Sequence, residues 1–355
     1  MNDPEICIAG AGIVGLTLAL ELHSRGFRVT VLDQGEPLAE ASTAAAGMLA
    51  ADDPENPSEL YPLSELSRAI YPRFLDRLFD LSGIAVPLQT STALQEIRSP
   101  EGASAQHLTL LAPETISLLL PQLRAGSRRF ALLDEHSLDP RELARGLHAA
   151  VRSAAIDLRG HVQVRLTRSN TGSVEIHTDS EVLRPSRFVD CTGAWGLTQP
   201  PPGRVRAIPR KGQMVAVRLP PSLPLHLVVR TPDIYIVPRT AGPSAGRAVI
   251  GATVEDAGFD KTVHPDEIAQ LRAQAAELLP DLAEAEEVKT WAGLRPGTSD
   301  GLPLLGQVEE NHFIATGHYR NGILLAPATA RVMAQLVSGE RPEVDLSAFS
   351  PLREG

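Results

Sequence analysis

ICIAGAGIVG, residues 6–15, joins an apolar run to a glycine-rich turn and the start of a second apolar run. Glu5–Ala9 is short, apolar and ends in glycines, the pattern of a buried parallel strand. Ile13–Ser24 then carries apolar residues at helical spacing and stops before Gly26, a helix C-cap signal. Phe27–Leu32 reads as the next strand, so the chain opens β–turn–α–β. Gly10, Gly12 and Gly15 therefore sit where a G-x-G-x-x-G turn needs them. Gly10 permits the tight turn, Gly12 the close approach of backbone to a pyrophosphate, and Gly15 the packing of helix on strand. Ile13 and Val14 begin the helix whose N–H groups and positive dipole end face the phosphates. Asp33 lies eighteen residues past Gly15, at the end of the second strand, where a carboxylate accepts from ribose hydroxyls. The motif does not choose between NAD and FAD.

Two further features favour FAD. Val189–Trp195 (VDCTGAW) reads as another strand ending in a glycine turn after a small meander. Ala41–Leu49 (ASTAAAGML) is a run of small residues that lets backbone N–H groups approach an extended ligand. An NAD-linked dehydrogenase leaves the glycine-rich closing segment of the chain without a role.

The 355 residues suffice for one large or two coupled domains, and 43% hydrophobic with 21% charged residues is ordinary for a soluble globular chain. Aromatics make up 4%, so aliphatic packing fills the interior. The net charge of −10 and the absence of a basic cluster longer than a pair argue against nucleic acid as a partner. Cys7 and Cys191 both fall in apolar strand-like runs, which points to a reducing, cytoplasmic setting and neither a disulfide framework nor a metal site. Ile6–Leu20 is too short to span a bilayer.

Farther along, Leu60–Ser82 alternates apolar and charged residues at helical spacing up to Gly83. Asp139-Pro140 starts a helix with Leu143, Leu147, Ala150 and Val151 on one face. Strand-like runs follow at His161–Leu166, which contains Val164, at Ser173–His177 and at Arg187–Cys191. Pro200–Pro202 marks a break, and residues 205–253 have the Val/Ile and Pro/Gly pattern of antiparallel sheet. Asp266–Leu279 is a helix candidate, and the last helix is expected from Pro327 to Ser338. The fold class expected is α/β: a glutathione-reductase-like Rossmann cofactor domain (residues 1–60, 135–200 and 288–355) with an inserted antiparallel-sheet substrate domain (61–134 and 201–287).

The closing third holds the most specific words: WAGLRPGTSD (291–300), GLPLLG (301–306) and GHYRNGILLAPAT (317–329). The middle adds Lys211-Gly212-Gln213, YIVPR (235–239) and VIGATVEDAGFD (249–260). With the N-terminal fingerprint, these resemble the D-amino-acid oxidase family of FAD-dependent oxidoreductases, on the branch of glycine oxidase of the thiamine pathway. The resemblance runs in order from about Ile6 to Ser338.

It implies a small amino-acid substrate whose carboxylate is bound by Arg295 and oriented by Tyr235. A planar guanidinium holds a carboxylate through two parallel charge-assisted bonds. It also implies that Arg320 lies close to flavin and substrate, that His318 positions rather than takes a proton, and that Val254 stands over the pocket. Val254 stands where a well-known member has a methionine, so strict glycine preference stays open, and Ala50-Ala51-Asp52-Asp53 stands where many relatives continue with proline, which bears on the loop that covers the substrate. The FAD contacts it implies are Gly10, Gly12, Ile13, Val14, Gly15, Asp33, Gln34, Ser42, Thr43, Ala45, Ala46, Gly47, Met48, Val164, Thr192, Gly193, Trp195, Arg295, His318, Arg320, Asn321, Gly322, Ile323 and Leu324. The reaction implied is hydride transfer from the α-carbon to the flavin, hydrolysis of the imine, and reoxidation by O2 to give H2O2.

A dehydrogenase using another acceptor and a flavin-binding protein without turnover are the rival readings, and a homo-oligomer stays open. Gly242–Gly246 fits G-x-S-x-G, but it lies between strand-like runs with no helix after it and reads as a hairpin loop. The histidines show no metal-ligand spacing.

Overall fold

The computed structural model describes residues 4–98, 108–197 and 204–354; the Pro200–Pro202 break lies outside them. Ile6–Ala9 is buried at all four positions, as its unbroken apolar sequence requires for a strand covered on both faces. It is central in a sheet of six strands, ordered Leu304–Glu309, His312–Thr316, Arg187–Asp190, Ile6–Ala9, Val29–Leu32, Asp157–Arg159. All neighbours are parallel except the first pair. The helix Ile13–Ser24 packs on the closing helix Gly322–Val337. Their aliphatic side chains, Leu16, Leu18, Leu22, Leu325, Val332 and Met333 among them, form the core of this body.

The second body is a sheet of seven strands, ordered Glu287–Gly297, Ile208–Arg218, Arg247–Gly251, Tyr235–Arg239, Val228–Arg230, Ala93–Glu96, Phe130–Leu133. Its neighbours are antiparallel except Val228–Arg230 with Ala93–Glu96, so the antiparallel expectation needs that one correction. A second aliphatic core covers it, with the helix Pro265–Leu278 contributing Ile268, Leu271, Ala275 and Leu278.

Two boundaries of the expected division do not match the packing. Residues 288–297, grouped with the cofactor segments, run along the full length of Ile208–Arg218 in the seven-stranded sheet. The helix Tyr61–Ser82, grouped with the inserted domain, packs on Pro140–Ser153 and Gly322–Val337 and puts Leu63, Tyr71 and Leu78 into the first core. Among strands, Phe27–Leu32 begins at Val29, and the run at 161–166 is displaced to Val164–Asn170. Gly242–Gly246 is a turn between paired strands, with the Gly246 N–H donating to the Arg239 carbonyl.

The closing helix begins at Gly322, five residues before the Pro327 start expected from its sequence. An internal proline removes the N–H that would bond the carbonyl four residues earlier, here that of Ile323. The Tyr71 hydroxyl donates to that carbonyl at 3.1 Å. One residue on, the Ser67 hydroxyl donates to the Leu324 carbonyl at 2.5 Å while the Ala328 N–H reaches Ser67 Oγ at 3.4 Å. Two hydroxyls of a neighbouring helix thus repair the ladder around Pro327, and the helix extends forward to the glycine loop.

Candidate active site

A cavity of ≈ 450 Å³ runs between the two sheets, within the range of ligand sites. Its first end is built on Gly10-Ala11-Gly12. Gly10 has φ of +100°, and a Cβ there lies 2.3 Å from the Cys191 carbonyl oxygen; a Cβ on Gly15 lies 2.0 Å from that of Gly10. Gly10, Gly12, Ile13 and Val14 line the cavity. Gly15 does not; its absent side chain lets helix and strand touch. Asp33 reaches across this turn, accepting from the Ala11 N–H at 2.6 Å and the Gly35 N–H at 2.9 Å. Burial raises its carboxyl, and those two N–H groups oppose the shift. Gln34, Val164, Thr192, Gly193 and Trp195 complete this end.

The middle is walled by the small-residue run. Ser42 accepts from the Ile13 N–H at 2.8 Å and so ties the run to the glycine turn. The second sheet then grips its carbonyls: Trp291 Nε1 donates to Ala44 at 3.0 Å and Arg239 Nη2 to Ala46 at 2.8 Å. Ala45, Ala46, Gly47 and Met48 line the cavity. Thr43 does not. Its hydroxyl donates to the Leu38 carbonyl at 3.0 Å.

The far end rests on the seven-stranded sheet. Residues paired across neighbouring strands share a face, and here the pairing runs Gln95, Arg230, Tyr235, Gly251, Met214, Trp291. Gln95, Arg230, Tyr235 and Met214 line the cavity. Arg295 reaches the same face from the outer strand and donates to the Thr253 carbonyl at 3.1 Å. Glycines clear the space these groups occupy. A Cβ on Gly212 lies 2.3 Å from Arg295 Nη1, and one on Gly251 lies 2.7 Å from the Tyr235 hydroxyl. The Tyr235 phenol is raised by burial, opposed by a hydrogen bond and the charge of Arg295, and stays protonated at neutral pH. Val254, on the loop after Gly251, stands exposed at the rim.

Opposite lies the N-terminus of the closing helix. Asn321 forms no side-chain cap there, and Asn321, Gly322 and Ile323 line the cavity. An α-helix leaves its first N–H groups without intrahelical acceptors. Leu324 does not line the cavity, and its side chain is buried in the first core. His318 is buried and bonds Thr329 Oγ1 at 3.0 Å; burial pushes its imidazole down to about 4, so it is neutral at pH 7.

Arg320 donates to Asp53 at 2.9 Å and Glu55 at 3.0 Å. Asp53 in turn lies 3.7 Å from Arg230, whose Nη2 is 3.0 Å from Glu135. Sequence reasoning noted Asp53 as a departure and missed Arg230, Gln95, Glu55 and Glu135. The signal for Arg230 was the Thr231–Ile234 turn, which sets a hairpin register opposite Tyr235.

An elongated cavity with glycine-cleared backbone, a carboxylate by the first helix and a helix N-terminus at each end fits FAD. The profile of the FAD dependent oxidoreductase family, DAO, matches residues 5–336. The chain belongs to that family. Among relatives of this oxidoreductase, glycine oxidase of Pseudomonas aeruginosa is 34% identical over 98% of this chain and 98% of its own length. The bifunctional protein ThiO/ThiG of Trichormus variabilis is 36% identical over 97% of this chain and 54% of its own. The crystal structure of glycine oxidase from Geobacillus kaustophilus superposes with a TM-score of 0.90 at 31% identity, covering 100% of both chains. Among the described residues of this oxidoreductase, no helix is long and apolar enough to cross a membrane, and no cluster of His, Cys, Asp or Glu is placed to hold a metal ion.

Proposed function

We propose that this FAD-dependent amino-acid oxidase oxidises glycine or another small amino acid, with O2 as the acceptor. The observation that carries the reading is the convergence of Arg295 and Tyr235 on one sheet face, over glycines that leave room for both side chains. Bound FAD supplies the two-electron acceptor for the α-carbon hydride and the route of the electrons to O2. Gly10, Gly12, Val14, Asp33 and the small-residue run would hold it at one end, and Gly322 and Ile323 at the other.

Arg295 binds the substrate carboxylate, with Nη1 braced on the Thr253 carbonyl. Tyr235, kept protonated by burial, donates a neutral hydrogen bond and sets the orientation. Neutral His318 braces the glycine loop from behind through Thr329 and adds no charge. Arg320, held by Asp53 and Glu55, closes the wall without presenting a bare cation. The likeness to glycine oxidase and to ThiO/ThiG supports both the substrate class and a place in thiamine synthesis.

Arg295→Lys is expected to raise KM for glycine about 100-fold while FAD stays bound, because the planar fork is lost and the cofactor end is untouched. Initial rates of peroxide release, with the flavin spectrum recorded alongside, measure both. An unchanged KM would falsify the carboxylate role.

A further inference from the structure

Lys211-Gly212-Gln213 lies in the strand Ile208–Arg218, whose Met214 lines the cavity. Side chains alternate along a strand, so Gly212 shares the cavity face while Lys211 and Gln213 point to the opposite one. Lys211 is fully buried there, and a buried ammonium is costly unless carboxylates match it. Its Nζ lies 3.3 Å from Glu255 and donates to Asp260 at 3.2 Å. Gln213 acts beside it: Nε2 donates to Glu255 at 2.8 Å, and Oε1 accepts from the His264 N–H at 2.6 Å. In the main chain the N–H groups of Lys211 and Glu255 each donate to the other's carbonyl at 3.0 Å. Between this bridge and the Met214–Gly251 pair, three steps on one strand face four on the other. One extra residue is therefore accommodated within 252–254, and such a β-bulge re-aims the groups it carries. Here the Thr253 carbonyl accepts from Arg295 Nη1 at 3.1 Å, and Val254 comes to the cavity rim. The Thr253 hydroxyl is held as well, accepting from the Gln213 N–H at 2.9 Å and donating to Glu255.

Resting on the reading of Arg295 as the carboxylate anchor, we infer that Lys211 is a positioning residue for substrate binding. It touches neither substrate nor flavin. From the face of the sheet away from the cavity, its ammonium fixes Glu255 and Asp260, and with them the bulge whose Thr253 carbonyl orients the guanidinium. The Glu255 and Asp260 side chains are 25% and 46% exposed, so water competes for both once the cation is gone. The bulge then loosens and Arg295 loses a fixed acceptor while keeping its charge. A carboxylate still binds, but to an anchor that is no longer preorganised.

The test measures glycine oxidation by the FAD-loaded enzyme, with acetate as a competing carboxylate that has no amine to oxidise. Lys211→Met keeps an unbranched apolar stem and removes the cation. It should lower kcat/KM for glycine about tenfold, mostly through KM, and raise the acetate Ki by a similar factor, with FAD content unchanged. In an Arg295→Met background the same substitution should change kcat/KM less than twofold, because the group it acts through is gone. Should Lys211→Met not fold, Glu255→Gln/Asp260→Asn, which keeps the buried stem and removes the charges it holds, is judged by the same criteria. An equal loss in both backgrounds, or loss of FAD, would mean that Lys211 supports the fold at large and would overturn the inference. If Lys211→Met leaves KM and the acetate Ki unchanged while Arg295→Met alone raises them, the anchor stands and the positioning role falls. If Arg295→Met alone changes neither, the anchor reading fails and takes this inference with it.

Discussion

Gly212 touches no substrate, yet it decides where Arg295 can lie. The guanidinium rests on the bare backbone of position 212, and a Cβ there falls 2.3 Å from Nη1. Because the clash is with the end of a long side chain, Gly212→Ala should fold and load FAD while displacing the guanidinium. Misplacement by about 1 Å can cost on the order of 100-fold. The expected result is a KM for glycine raised at least tenfold with FAD content and melting temperature near those of the wild type; a normal KM would mean that Arg295 binds from another position. At this scale the sequence was legible where a word names its residue. Arg295 in GLRPGT and Tyr235 in YIVPR both reach the cavity. Arg230 carries no such word, because its place depends on a hairpin register that pairs it with Tyr235.

The closing helix illustrates the same division for an element. Pro327 suits the first turn of a helix, and on local rules the helix starts there. The element instead starts at Gly322, because Tyr71 and Ser67, more than two hundred residues earlier, supply the hydrogen bonds that a mid-helix proline disrupts. Without them the Ile323 carbonyl is a buried acceptor with no donor, a loss of about 1–3 kcal/mol. Tyr71→Phe should therefore lower the urea midpoint of the FAD-loaded protein and weaken FAD binding several-fold, because the affected turn is the one whose N–H groups face the cavity. A Tyr71→Phe protein with unchanged urea midpoint and FAD affinity would show that the helix start is held by packing alone.

Across the molecule, buried ionisable groups pull stability in opposite directions with pH. Burial, with Asp53 adding and Arg230 opposing, pushes the Glu135 carboxyl up from 4.5 to about 7. Between those values the folded chain keeps a proton that the unfolded chain has released, so this contribution falls as pH rises through the window. His318 acts the other way. Its imidazole moves from 6.5 to about 4, so its contribution is lost as pH falls from 6.5 towards 4. Glu135→Gln removes the first effect and leaves the second. The unfolding free energy of the variant should then rise more steeply than that of the wild type between about pH 4.5 and 7, as read from urea titrations at several pH values. Parallel curves would mean that Glu135 ionises like an exposed carboxyl.

Local sequence alone determined the opening β–turn–α–β unit, because Gly10, Gly12 and Gly15 act through backbone space within a few residues of one another. It also marked the helices Ile13–Ser24 and Tyr61–Ser82 through their spacing and the glycines that follow them. Tertiary structure decided which sheet received residues 287–297. That strand lies along Ile208–Arg218, a partner some eighty residues away that no local pattern identifies. The same long-range pairing aligned Gln95, Arg230 and Tyr235 in one row and brought the loop of Asp53 and Glu55 to Arg320. Charges and hydrogen bonds depend on distance in space, and that distance exists only once the two sheets have packed.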